Sequence, residues 1–340
     1  MPTRNDDRTR DIGLDKVAAL IDAISIRLLM ALACAQPFAF AGAADYPTRP
    51  VRMIVPFVAG GGTDLLARFV SPRLSELLGQ QVVVDNRGGA GSSLGTQILA
   101  KSAPDGYTLG VFDTAFAINP SVLEKLPYDS ERDFVFIAII ATSPSLLVTH
   151  PGLKVRTIQE LIALAKRQPG TIKFASAGVG SSSHLTGQML MTAAQIDLLH
   201  IPYKGAGAAI LDLLGGHTDV TSVVPGSVTS QLQSGALIPL AITGKNPYPT
   251  LPNVPTFTSV GLGAVNPGAF RFLVAPAGLP VAIQKRLSTS MRTVLEPQEF
   301  RKRLSDNGFD VEFLVEADAR AYVVQEIRKW RQAVKDAGVK

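Results

Sequence analysis

Along most of this chain, short apolar runs alternate with longer segments in which apolar residues recur every three or four positions. The runs at 51–55 and 107–112 have the length and composition of buried strands. From Asp64 onward, the apolar residues follow the spacing of a helix with one buried face, and Gly79 ends that pattern. The same order of strand and helix returns after residue 150, which predicts two α/β lobes with parallel sheets.

Three loops of glycine and small polar residues each follow a predicted strand and precede a predicted helix. Their sequences are FVAGGGTD at 57–64, NRGGAGSSLG at 86–95 and SAGVGSSSH at 176–184. Loops at the carboxyl ends of strands bind ligands in α/β proteins, and the free N–H groups at the start of a helix attract anions. Because these loops are divided between the two predicted lobes, we expect a ligand to be held between the lobes.

The composition is that of a globular protein with enough residues for two cores. The 340 residues include 46% hydrophobic and 18% charged residues, and the formal net charge is +5. A mild positive field favours anionic small molecules. The chain has no Lys- and Arg-rich run interleaved with aromatic residues, so nucleic acid is not an expected partner.

The segment 1–44 has the features of a signal-peptide region. Arg27 precedes an apolar stretch that ends in small residues, which predicts export to the periplasm and cleavage near Ala43 or Ala44. That stretch is too short and too interrupted for a membrane span. Cys34 is the sole cysteine and lies within it, so we expect no disulfide in the mature protein. A lipid anchor on Cys34 is the alternative.

No motif for a metal or a cofactor accompanies the loops. The histidines after the signal region have neither an H-x-x-x-H nor an H-E-x-x-H spacing, and no cysteine is available, so we expect no metal site. The sequence lacks a G-x-x-x-x-G-K-[ST] phosphate loop, and the segment 178–183 does not complete a dinucleotide-binding fingerprint. We therefore expect no cofactor.

One serine motif raises an enzymatic alternative. Residues 91–95 fit G-x-S-x-G, the pattern of a nucleophile elbow, with Ser93 as the nucleophile. Such an elbow places its serine on a sharp turn directly after a strand, whereas here the glycine-rich segment 86–91 intervenes. A secreted α/β hydrolase using Ser93 is therefore kept as the alternative to a binding protein.

Several segments carry a family resemblance in a fixed order. They include YPTRPVRMIVPFVAGGGTDLLAR (46–68), LGQQVVVDNRGGAGSSLG (78–95), ASAGVGSSSHLTG (175–187) and IPYKGAGAAILDLLGGH (201–217). Together these segments closely resemble the extracytoplasmic solute receptors of tripartite tricarboxylate transporters, the Bug family. The resemblance runs from about Tyr46 to the C-terminus.

The resemblance implies a type II periplasmic-binding-protein fold, in which two α/β lobes enclose a ligand cleft and two crossover strands join the lobes. It places lobe 1 at 45–146 and 270–340, lobe 2 at 147–269, and the crossings near 145–150 and 270–274. It also implies a monomeric receptor rather than an enzyme. Such a receptor captures an organic carboxylate and delivers it to the membrane subunits of a tripartite tricarboxylate transporter.

In the family that the chain resembles, main-chain N–H groups and ordered water supply much of the carboxylate binding. No basic side chain lies at 57–64 or 176–184, so we expect N–H groups and helix dipoles to hold one carboxylate. The predicted ligand-binding residues are Phe57, Ala59, Gly60, Gly61, Thr63, Asp64, Thr114, Ser176, Gly178, Gly180, Ser181, Ser182, His184, Lys204 and Gly205.

The chain departs from the family pattern in segments expected near the second lobe's side of the cleft. Gln188 stands where many relatives have an acidic residue, the segment 218–228 lacks a common aromatic residue, and the crossover FRFLVAP at 270–276 lacks a common tryptophan. These departures leave the ligand open among citrate, other di- and tricarboxylates, acidic amino acids and aromatic acids. A sensor role, in which the loaded receptor docks on a signalling protein, also stays open.

Overall fold

The computed structural model describes residues 46–336, so the predicted signal-peptide region at 1–44 lies outside the described residues. The strands are β1 (Val51–Val55), β2 (Val82–Asn86), β3 (Thr108–Asp113), β4 (Phe134–Ser143), β5 (Leu146–Thr149), β6 (Lys173–Ser176), β7 (Leu199–Pro202), β8 (Val220–Val223), β9 (Ile238–Ile242), β10 (Ala269–Pro276) and β11 (Asp310–Val315).

Helices connect most of these strands. They are α1 (Gly62–Leu78), α2 (Ser93–Ala100), α3 (Ala115–Val122), α4 (Ile158–Arg167), α5 (Ser182–Ala194), α6 (Ala206–Leu214), α7 (Thr229–Gln233), α8 (Val281–Leu295), α9 (Gln298–Asp306) and α10 (Glu316–Asp336). The end of α1 shows how the sequence sets a boundary. Gly79 adopts a left-handed conformation with φ 70°, and its N–H donates to the Ser75 carbonyl.

The strands form two mixed sheets. The first sheet has the order β11-β4-β10-β3-β1-β2, and the second has the order β7-β6-β8-β5-β9. Strand β1 is parallel to β2 and β3, and β6 is parallel to β7 and β8. Strand β10 is antiparallel to β3 and β4, and β5 is antiparallel to β8 and β9. The expectation of parallel sheets is therefore only partly met, because β5, β10 and β11 run opposite to the other strands of their sheets.

The chain passes from the first sheet to the second between Ser143 and Leu146, and it returns between Ile242 and Ala269. The return segment includes the proline-rich stretch at 247–255. In the second sheet, β5 lies between β8 and β9, so the entering chain joins this sheet at an internal strand and not at its edge. The predicted lobe limits at 146/147 and 269/270 stay predictions.

Apolar side chains fill both faces of each sheet, which explains the continuous apolar runs in the strands. On one face of the first sheet, Phe116 packs edge-to-face on Phe134 and Phe272, with ring centroids 5.2 and 5.4 Å apart. Trp330 of α10 is fully buried in the same cluster. Within residues 46–336, no helix combines the length and the apolar character needed to cross a bilayer.

Candidate functional site

The two lobes meet at a cavity beside the ends of β1, β3, β6 and β8. Its accessible volume is about 40 Å³ in this closed arrangement, so an organic ligand enters while the lobes are apart. Ser145 lies on its wall between the two sheets. The other lining residues are Phe57, Gly61, Gly62, Thr63, Asp64, Asp113, Ala269 and Arg271 on one side, and Ala177, Ser181, Ser182, Ser183, Ala206, Ser222, Val223 and Val224 on the other.

The first wall is built by the loop that leads into α1. The helix begins at Gly62, and its N-cap residue is Gly61, which has no side chain to cap the helix. Thr63 instead donates its hydroxyl to Asp113, and Asp64 accepts from the N–H of Gly60 over 3.0 Å. Neither Thr63 nor Asp64 is therefore the N-cap residue of α1. By their position, the first N–H groups of α1 have no acceptor within the helix.

The opposite wall is built by the loop that leads into α5. Ser181 is the N-cap residue, and its Oγ accepts from the His184 N–H over 3.2 Å and donates to the Gly178 carbonyl over 2.7 Å. The Ser183 Oγ accepts from the Ala177 N–H over 2.9 Å. These hydrogen bonds hold the loop in shape before a ligand arrives. Its small side chains leave the start of α5 facing the cavity.

Six of the predicted ligand-binding residues lie together on the cavity wall, and four others lie where the lobes touch each other. The Val58 N–H donates to the Lys204 carbonyl over 3.2 Å, so the main chain of Lys204 joins the lobes. Gly205 adopts φ 154° and lies against Val58. Ala59 and Gly60 face Gly207 of α6 at close range. In this structure these four residues form lobe-to-lobe contacts outside the cavity wall, and their contact with a ligand stays a prediction.

The other five predicted residues do not line the cavity, and two of them, Gly178 and Gly180, lie against Gly91 and Asn119 of the other lobe. Thr114 accepts from the Phe270 N–H over 2.9 Å and so ties α3 to β10. Ser176 hydrogen-bonds His200 over 2.6 Å. Gly178 and Gly180 have φ angles of 119° and 82°, which favour glycine in this loop.

His184 also lies behind the second wall and stacks on His200. The two ring centroids are 4.4 Å apart, and His184 is almost fully buried. Burial, together with the neighbouring His200, lowers the pKa of His184 to about 4. Burial also lowers the pKa of His200. His184 is therefore neutral at pH 7, and it adds no positive charge to the cavity.

Arg271 of β10 is a cavity residue that the sequence analysis missed. It is 3% exposed, and its Nη1 donates to the Ser143 Oγ over 2.7 Å. Burial lowers the pKa of Arg271 to about 10, so the guanidinium remains charged at neutral pH. The available signal was a charged residue inside the apolar run FRFLVAP, in the segment where the expected tryptophan is absent.

The structure gives no support to the hydrolase alternative. Ser93 is the first residue of α2 and is buried. In the described part of the chain, the histidines hydrogen-bond other partners, and none hydrogen-bonds Ser93. A serine nucleophile needs an adjacent base, so this geometry lacks the required pair. Residues 46–336 also contain no cluster of three or more His, Cys, Asp or Glu side chains suited to a metal ion.

Comparison with known proteins decides the family. Residues 66–339 match the profile of TctC, the tripartite tricarboxylate transporter family receptor. The chain belongs to this family. Among curated TctC relatives, protein BugT of Bordetella pertussis is 35% identical over 299 residues, which cover 87% of this chain and 91% of BugT.

Solved structures show the same two-lobed fold. The periplasmic binding protein BugD is 35% identical, with a TM-score of 0.82 over 87% of this chain and 99% of BugD. A protein from R. palustris in complex with adipate is 30% identical, with a TM-score of 0.83 over 86% of this chain and 99% of its own. MatC from Rhodopseudomonas palustris with bound malate is 29% identical, with a TM-score of 0.79 over 85% of this chain and all of MatC. This chain is therefore a solute-binding receptor of the TctC family, a family whose members are periplasmic.

Proposed function

We propose that this receptor holds one carboxylate of its ligand on the main-chain N–H groups at the starts of α1 and α5. The observation that carries the proposal is that two helix N-termini, one from each lobe, face the same cavity. Each presents N–H groups without an acceptor in the helix, and each helix dipole favours negative charge there. The hydroxyls of Ser181, Ser182 and Ser183 lie beside them. A carboxylate bridging both lobes also favours the closed form.

The ligand is a small di- or tricarboxylate. Adipate and malate, the ligands of the two R. palustris neighbours, both carry two carboxylates. The cavity also has Phe57, Val223 and Val224 on its wall, which suit a short apolar chain between the two acidic groups.

The loaded receptor delivers its ligand to the membrane subunits of a tripartite tricarboxylate transporter and acts as a monomer. Export requires the predicted signal at 1–44. We expect the protein recovered from the periplasm of an expressing bacterium to begin near Ala44 or Asp45, as measured by N-terminal sequencing. A mature protein that keeps Arg27 contradicts export by cleavage, and a lipid on Cys34 favours the anchored alternative.

Calorimetric titration tests the binding proposal directly. Malate, adipate, citrate, glutamate and benzoate are titrated into the wild-type protein, and we expect saturable binding of at least one di- or tricarboxylate. Gly62→Ala is the matched variant, because its Cβ would lie 2.5 Å from Val224 Cγ2 and 2.9 Å from Arg271 Nη2 at the start of α1. We expect its affinity to fall about ten- to a hundredfold, because the added methyl group displaces Val224 and Arg271 at the start of α1.

Gly268→Ala is the control for this experiment. No atom lies within 4 Å of a Cβ at Gly268, so this variant should bind like the wild type. Absence of binding across the whole panel contradicts the proposal. Turnover of an ester substrate that is lost in Ser93→Ala would instead favour the hydrolase.

A further inference from the structure

One charged side chain on the cavity wall is buried and only partly hydrogen-bonded. The Nη1 atom of Arg271 donates to Ser143, while its Nε atom is buried without a hydrogen-bond partner. Buried guanidinium groups normally have their donors satisfied, often by a carboxylate that accepts two parallel hydrogen bonds. Arg271 thus combines an incomplete set of acceptors with a position on the wall of a ligand cavity.

The protein around Arg271 does not supply the remaining acceptor. Asp113 lies opposite Arg271 in the register of β3 and β10, yet Arg271 forms no ion pair with any carboxylate in residues 46–336. The Asp113 oxygens accept instead from the Thr63 hydroxyl at 2.8 Å and the Ala115 N–H at 3.0 Å. On its other side, the guanidinium carbon lies 5.2 Å from the centroid of the Phe309 ring.

The guanidinium lies beside the first turn of α1. The ideal Cβ position of Gly62, the first residue of that helix, is 2.9 Å from Arg271 Nη2. The N–H groups of this turn lack acceptors inside the helix and favour an anion. A single carboxylate placed there can therefore accept from the guanidinium and from the start of the helix.

We propose that Arg271 is a specificity-determining residue of the cleft and pairs with one carboxylate of the ligand at the first turn of α1. The inference rests on the proposed function, because it requires a carboxylate ligand. A guanidinium offers a planar fork of N–H donors that matches two carboxylate oxygens. An uncharged carboxamide leaves part of that fork without an acceptor, so the receptor selects acids over their amides.

The energetics separate this role from a structural one. In the empty protein the buried Arg271 charge is compensated only by the attraction of Asp113, with which it forms no close ion pair, whereas a ligand carboxylate adds a direct partner. Arg271→Met removes the cost of burying the guanidinium but also its attraction to Asp113, so the stability of the empty protein should change little while ligand binding weakens. A structural role predicts the opposite pattern, in which stability falls and the affinity of the folded protein is kept.

A substitution at Asp113 should change carboxylate affinity in the opposite direction to Arg271→Met. It lines the same cavity as Arg271, and Asp113→Asn keeps the size of the side chain and an oxygen acceptor. Burial raises the pKa of Asp113, and when this carboxyl is ionised the substitution removes a negative charge that repels a ligand carboxylate nearby. Carboxylate affinity should therefore rise by a fewfold in Asp113→Asn, whereas it should fall in Arg271→Met.

The test measures adipate, malate, citrate and the uncharged diamide adipamide on four proteins by calorimetric titration. The proteins are the wild type, Arg271→Met, Arg271→Lys and Asp113→Asn, and the melting temperature of each is recorded without ligand. In Arg271→Met we expect about ten- to a hundredfold weaker carboxylate binding and a reduced preference for adipate over adipamide. Arg271→Lys keeps the positive charge but loses the planar fork of N–H donors, so its carboxylate affinity should lie between those of the wild type and Arg271→Met.

The outcomes distinguish the inference from the proposed function. A wild type that binds none of the three acids overturns both. A wild type that binds, with Arg271→Met and Arg271→Lys binding equally well, overturns only the role of Arg271. If Arg271→Met does not fold, the ratio of adipate to adipamide affinity in Arg271→Lys decides, and an unchanged ratio overturns the role. A fall in affinity in Asp113→Asn also contradicts the charge argument.

Discussion

Replacing Gly207 with valine is expected to weaken carboxylate binding by at least about a hundredfold without unfolding either lobe. Gly207 is the second residue of α6, and a Cβ there would overlap the carbonyl oxygen of Ala59 and lie 3.2 Å from Gly60 Cα. The closed arrangement therefore accepts only hydrogen at this position. A ligand that contacts both lobes binds best to the closed form, so a variant that disfavours closure by about 2.7 kcal/mol loses about a hundredfold in affinity.

Other contacts between the lobes likewise leave no room for a Cβ atom. A Cβ on Gly91 would overlap the Val179 carbonyl oxygen, and one on Gly88 would lie 2.6 Å from the Lys204 carbonyl oxygen. Closure therefore brings main chain against main chain through glycines of both lobes. Gly207 is the sharpest position for a test, because it is absent from the cavity wall and has an ordinary helical backbone. Its substitution changes closure and not ligand contacts, and valine is a better helix residue than glycine.

Titration and solution scattering together measure this effect. We expect the wild type to contract on addition of ligand, and Gly207→Val to keep the larger radius of gyration at the same ligand concentration. Gly268→Val is the control, because its side chain meets no atom within 4 Å of the Cβ, and it should behave like the wild type. Wild-type affinity together with normal contraction in Gly207→Val would show that the bound form is more open than this structure.

Local patterns in the sequence were sufficient for most of the strands and helices. The apolar run 51–55 coincides with β1, and the glycine at position 79 ends α1 as predicted. Strand pairing was harder, because the direction of β10 and β5 depends on where the chain crosses between the sheets. The start of α1 at Gly62 was also missed, since a glycine at this position gives no side-chain capping signal.

The site was predictable where it consists of loops and not where it consists of strand residues. Phe57, Gly61 and Ser181 belong to loops that a sequence search finds by their glycines and serines, and the structure places all of them on the cavity wall. Arg271 reaches the cavity from β10, which lies between β3 and β4 only because of pairing over long distances in the chain. A search for basic residues limited to the loops could not detect it.

The stability of the folded protein should depend on pH through His184. His184 is neutral and buried in the folded protein, where burial and His200 lower its pKa from 6.5 to about 4. In the unfolded chain it takes up a proton near pH 6.5. Between pH 6.5 and 4 the unfolded state therefore binds a proton that the folded state does not, and the free energy of unfolding falls as the pH decreases. The contribution of His184 to the free energy of unfolding is fully present above pH 6.5. A pKa lowered from 6.5 to about 4 corresponds to about 3 kcal/mol.

Urea unfolding of the mature protein at pH 7 and pH 4.5 measures this contribution. The wild type is compared with His184→Phe, which keeps an aromatic ring against His200 but cannot be protonated. We expect the variant to lose about 2 kcal/mol less stability than the wild type between these two pH values, because most of the contribution of His184 disappears in this interval. The control is Phe174→Leu, whose ring centroid is 6.5 Å from that of His200. It removes core packing without removing a titrating group, so stability should fall by about 1 kcal/mol at both pH values. Equal pH dependence in the wild type and His184→Phe would mean that His184 takes up its proton in the folded protein as readily as in the unfolded chain, and that burial behind the second wall does not keep it neutral.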